Sequence, residues 1–86
     1  MQGLDLYNNQ IGDTGMISLA DALRKGALPK CTVLFLGGNQ IGDVGMSALA
    51  TAIGSGALPK CTYADLRNNP ASEEARQALE DALEQR

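Results

Sequence analysis

The residues able to do chemistry are few, and most lack the partner their chemistry needs. The chain has no histidine, so the commonest general base and the commonest metal ligand are both missing. Cys31 and Cys61 stand alone, 30 residues apart; that spacing matches no zinc pattern, and neither thiol has an imidazole to activate it. The run Gly37-Gly38-Asn39-Gln40-Ile41-Gly42 suggests a phosphate-cradling loop but lacks its Lys-Ser/Thr ending. Asn8-Asn9-Gln10-Ile11-Gly12-Asp13 carries too few carboxylates for a calcium loop. No catalytic, cofactor-binding or metal site is expected.

Composition narrows the function classes further. The 86 residues allow one small domain, 1–86, of a size that buries roughly 60–70% of its unfolded surface. Net charge is −3, which argues against nucleic acid, because affinity for phosphate backbones comes from clustered Lys and Arg. Acids and bases balance up to residue 72, and the excess lies in Glu73, Glu74, Glu80, Asp81 and Glu84. No apolar run is long enough to span a bilayer. With two cysteines 30 residues apart and no secretory segment, the expected setting is cytoplasmic, with proteins as partners.

What positions these side chains is a repeat. Residues 8–32 align with 38–62 at 17 of 25 positions, including Gly26-Ala27-Leu28-Pro29-Lys30-Cys31-Thr32 recurring unchanged as residues 56–62. A divergent third copy keeps Leu66, Asn69, Leu79 and Leu83 at the same offset. Each unit of the 30-residue period (1–30, 31–60 and the shorter 61–86) opens with alternating apolar positions, as in Leu34-x-Leu36, which predict a short strand. From Asp43 the period changes to helical, with Gly45, Leu49 and Ile53 on one face beside Met46 and Ala50. Asp13 and Asp43 are placed to N-cap these helices, and Gly26 and Gly56 to stop them. A single unit cannot cover its own apolar face, so Leu4 and Leu34, and Leu6, Leu36 and Leu66, must stack on one another. Asn9, Asn39 and Asn69 leave the strands where a buried turn needs its backbone groups satisfied, a structural role.

The pattern Leu-x-Leu-x-x-Asn-x-Ile, followed by Gly-Asp-x-Gly and a helix, resembles leucine-rich repeats of the ribonuclease-inhibitor-like class, over essentially the whole chain. The resemblance implies an α/β right-handed solenoid with a parallel sheet on its concave side and helices on its convex side. It also implies binding to proteins rather than catalysis.

The two ends differ. In the third unit Met16 and Met46 become Arg76, Ala20 and Ala50 become Glu80, and Ile11 and Ile41 become Ala71, so the last helix reads as a polar cap, opened by Ser72. At the other end Met1 falls on the first ladder position with nothing before it, leaving an open sheet edge that invites pairing. The expectation is a C-terminal fragment of a longer array that self-associates through residues 1–25.

If Leu34 and Leu36 point inward, Val33, Phe35 and Gly37 point outward, as do Gly3, Asp5 and Tyr7 in the first strand and Tyr63, Asp65 and Arg67 in the third. All three aromatic residues, Tyr7, Phe35 and Tyr63, thus share one face, on a diagonal across strands about 4.8 Å apart. Asp5 and Asp65, near 10 Å apart by strand spacing, reach the wide end of a paired-carboxylate arrangement, about 9.5 Å, but an open face gives no enclosure. The expected partner-binding set is Asp5, Tyr7, Val33, Phe35, Tyr63, Asp65 and Arg67, with aromatic anchors and a weakly acidic rim. A competing reading is a closing segment with no partner site of its own.

Overall fold

The computed structural model describes residues 3–85; the ladder position expected at Met1 lies outside them. Strands β1 (Gly3–Asp5), β2 (Val33–Phe35) and β3 (Tyr63–Asp65) alternate with helices α1 (Asp13–Arg24), α2 (Asp43–Gly54) and α3 (Glu73–Glu84). The strands form one parallel sheet in the order β1-β2-β3. Gly3, Val33 and Tyr63 share one rung, Leu4, Leu34 and Ala64 the next, and Asp5, Phe35 and Asp65 the third. Since β2 lies in the middle, both β1 and β3 are edge strands, one more edge than the open β1 side alone.

A single core joins Leu34, Leu36 and Leu66 from the strand segments to Met16, Met46, Leu49, Ile53 and Leu79 from the helices. Burial is deepest in the middle: Leu34, Leu36, Ile41, Met46 and Leu49 are wholly inaccessible. Each such side chain contributes about 1.5–3 kcal/mol relative to exposure. Of their first-unit counterparts, Met16 is buried but Leu4, Leu6, Ile11 and Leu19 are only partly covered. The difference follows from stacking, because only the middle unit has a neighbour on both sides.

The helix stops behave as their glycines suggest. Gly26 and Gly56 take φ of 101° and 103°, and the bonds Gly26 N to Leu23 O (3.1 Å) and Ala27 N to Ala22 O (3.2 Å) close α1 in the pattern repeated at α2. The starts do not follow expectation. Gly12 and Gly42, not Asp13 and Asp43, are the N-cap residues, and neither has a side-chain cap. Asp13 instead reaches into the next unit, where its Oδ1 accepts from Gly42 N (2.7 Å) and Gly45 N (2.9 Å). Asp43 accepts from Ser72 N at 2.7 Å. One turn of stacking brings each aspartate beside the following helix's free N–H groups, where its charge also complements the helix dipole. Ser72 alone caps its own helix, accepting from Ala75 N.

The asparagines fasten units in the opposite direction. Asn39 Oδ1 accepts from Asn9 N (2.9 Å) and Ile11 N (3.0 Å) of the unit before, while its Nδ2 donates to Leu6 O (2.8 Å) and Leu36 O (2.9 Å). Asn69 repeats this toward Ile41 N and Leu36 O. A buried carboxamide with both ends engaged is what a turn without ladder partners requires.

Candidate partner-binding face

The side chains alternating with Leu34 and Leu36 make up the other face of the sheet. Val33 and Phe35 are half-buried there, Asp5 and Arg67 are exposed, and Tyr63 is 54% exposed. The expected rungs hold, with Phe35 between Asp5 and Asp65.

The three rings do not form one continuous stack. Tyr7 and Phe35 pack with centroids 5.4 Å apart and planes inclined by 33°, the one ring contact among the described residues. Phe35 also leans toward β1: a Cβ on Gly3 would lie 3.5 Å from its Cε2. Tyr63 stands apart on β3.

Tyr7 crosses the middle strand. Its hydroxyl donates to Asp65 Oδ2 on the far strand, and its ring passes over Gly37, where an added Cβ would collide with Tyr7 Cε1. The space above Gly37 is therefore filled by the Tyr7 ring. The third outward column, Tyr7, Gly37 and Arg67, shows why: a large ring can span it only if its middle residue has no side chain.

Asp65 departs from its expected role as an exposed rim charge. It is 4% exposed, with its carboxylate gripped by Arg67 through Nε to Oδ1 (3.1 Å) and Nη2 to Oδ2 (3.0 Å), and it also accepts from Arg67 N. These bonds, Arg67 first and Tyr7 second, lower its carboxyl from the ordinary value of 3.8 to about 2. The same contact raises the Tyr7 hydroxyl above 10.0, the Asp65 hydrogen bond being the main cause and desolvation the next. Arg67 and Asp65 cancel each other's charge, so the acidic rim reduces to Asp5, whose Oδ1 accepts from Tyr7 N at 3.1 Å.

The face is thus a locked platform, Tyr7 on Phe35 pinned through Asp65 and Arg67, with the exposed ring of Tyr63 beside it. Sequence reasoning chose these residues by alternation but missed the supporting part of Gly37; a glycine between Tyr7 and Arg67 was the available signal. Neither thiol joins the face. Cys31 and Cys61 are buried and not joined in a disulfide, with Cys31 Sγ directed at Val33 O (3.3 Å) and Cys61 Sγ at Tyr63 O (3.4 Å). No group of histidine, cysteine or acidic residues suited to a metal ion occurs among the described residues, and no helix there is long and apolar enough to cross a membrane.

Residues 1–20 and 32–50 match a family model described as Leucine Rich repeat, the strand, turn and helix start of the first two units. The match supports a leucine-rich repeat protein, and leucine-rich repeat domains generally mediate protein–protein interaction. No curated protein matches the chain.

Proposed function

We propose, from the leucine-rich repeat character of these units, that the chain is a protein-interaction module that receives its partner on the sheet face carrying Tyr7, Phe35 and Tyr63. The observation that carries this reading is the pinned ring pair. Tyr7 and Phe35 are held in contact by a hydrogen bond across three strands, and rigid aromatic area lowers the ordering cost of association. Asp5, Val33 and Arg67 border the rings and fix orientation, with Asp65 acting from beneath through Tyr7 and Arg67.

Finer features of the fold belong to the same proposal. Full helices of 12 residues in each unit favour the ribonuclease-inhibitor-like class. The strong handedness preference of parallel strand–helix–strand crossovers favours a right-handed solenoid with the sheet on its concave side. Arg76 and the exposed Glu80, standing where earlier units have methionine and alanine, favour α3 as the closing unit of a longer array.

The test is Phe35→Ala combined with Tyr63→Ala, measured by titration calorimetry against a partner recovered with the unaltered chain. The expected loss is about 2 kcal/mol or more if the rings are anchors. Unchanged affinity with unchanged far-ultraviolet circular dichroism would remove the sheet face as the site, leaving the closing-segment role that the polar α3 face favours.

A further inference from the structure

Among the described residues, several contacts that join the first unit to the second have an unused counterpart on the far side of the first unit. In the second unit, Gly42 N and Gly45 N are held by Asp13 of the unit before. Gly12 N and Gly15 N, the same positions one unit earlier, have no acceptor among the described residues. Asn39 grips the preceding turn with both ends of its carboxamide, whereas the Asn9 carboxamide, among the described residues, bonds only through Nδ2 to Tyr7 O in its own unit.

The apolar positions and the glycines agree with the polar ones. Leu58 is 1% exposed and Leu28 is 40% exposed, although the seven residues from Gly26 to Thr32 and from Gly56 to Thr62 are identical. A groove of about 310 Å³ runs there, lined by Gly3, Leu4, Leu28 and Cys31 among others. Gly45 is enclosed: a Cβ on it would lie 2.7 Å from Asp13 Oδ1 and 3.1 Å from Met16 Cβ, both from the preceding unit. A Cβ on Gly15 would meet only Ile11, in its own unit. The first unit therefore keeps a small residue where nothing yet presses on it.

We infer that this face, formed by β1, the Asn9 turn and the start of α1, is a docking site for one more strand–helix unit of the same kind. The occupant brings an aspartate at the position of Asp13, to hold Gly12 N and Gly15 N, and a methionine at the position of Met16, to pack on Gly15. A second copy of this chain, joined head to tail, offers the wrong chemistry, because its third unit presents Glu73 and Arg76 at those two positions. The inference deepens the reading of the chain as the closing part of a longer array and is independent of the sheet-face site.

The experiment joins a copy of residues 31–60 ahead of residue 1 of the full chain, which preserves the 30-residue period. Amide exchange of Gly12 and Gly15 is then followed by nuclear magnetic resonance, and unfolding by urea. Exchange at both glycines should slow about tenfold or more, within a single transition of higher midpoint. Asp43→Ala in the appended copy should reverse that slowing. Gly15→Ala should be tolerated in the 86-residue chain and should abolish the gain in the extended one, where the incoming methionine needs the space. Unchanged exchange at Gly12 and Gly15, or an appended copy that melts in its own transition, would overturn the inference. So would protection in the unextended chain that grows with protein concentration, since a second copy would then occupy the face. None of these readouts involves Phe35 or Tyr63, so failure here and failure of the sheet-face site can be told apart.

Discussion

Asp13 and Asp43 do the same job with different numbers of bonds, which makes their removal informative. Asp13 holds two N–H groups of α2's first turn, whereas Asp43 holds only Ser72 N, and α3 has its own Ser72 cap as well. Asp13→Ala should cost about 1–2 kcal/mol by urea denaturation and Asp43→Ala clearly less; equal losses would contradict the cross-unit capping. Asp65 gives a pH dependence of definite sign. Its folded carboxyl lies at about 2, below the ordinary 3.8, so the unfolded chain binds the proton more readily. The stability it supplies is complete above about pH 4 and is lost as pH falls toward 2. Carboxyl carbon titration should show this low value, and Tyr7→Phe should move it upward, part way toward the ordinary one. Tyr7 works in the opposite sense: its raised hydroxyl keeps its contribution below pH 10 and loses it as alkali removes the proton.

The sheet depends on β2 being thin at one point. Gly37 follows the paired rungs of β2 and is buried beneath the Tyr7 ring, so the outer strands are tied to each other over the middle one. Gly37→Ala should leave the parallel ladder intact, because no special backbone angle is needed there, but should lift Tyr7 off Asp65. The expected outcome is loss of the Tyr7–Phe35 ring contact in nuclear Overhauser spectra and a rise in the Asp65 carboxyl value. A retained ring contact would mean that the strand shifts to accommodate the methyl group. Asn39 acts at the same scale: it binds both the turn it ends and the turn before it, so strand, turn and neighbouring unit form one hydrogen-bonded piece.

Across the whole molecule, protection runs unevenly along the stack. The middle unit has neighbours on both sides, while the first has one, and its Leu4, Leu6, Ile11 and Leu19 remain partly open. In a stack held by nearest-neighbour contacts, opening starts where those contacts are fewest. Amides of α2 should exchange slowest and those of α1 faster, with α3 protected by its own cap and polar surface. Uniform protection across the three helices would show that the molecule opens only as a single unit.

Periodicity made much of this legible. The change from alternation to helical spacing marked each strand and helix, the 30-residue offset set the sheet register, and Gly26 and Gly56 marked the helix stops, because each signal is local or copied between units. Alternation likewise brought Tyr7, Phe35, Tyr63, Asp65 and Arg67 to one face, while their binding role remains a matter for the titration proposed above. Which group each side chain touches is not local. Asp13 looked like a cap for its own helix because sequence distance favoured it, but stacking places the next helix's N–H groups within reach of the same carboxylate. Asp65 looked like a surface charge because its strand position is outward, yet Tyr7 arrives from two strands away to help cover it. The sequence by itself determined the repeat and the outward positions. Only the tertiary structure decided the partners, since stacking sets distances across some 30 to 60 residues that no local pattern encodes.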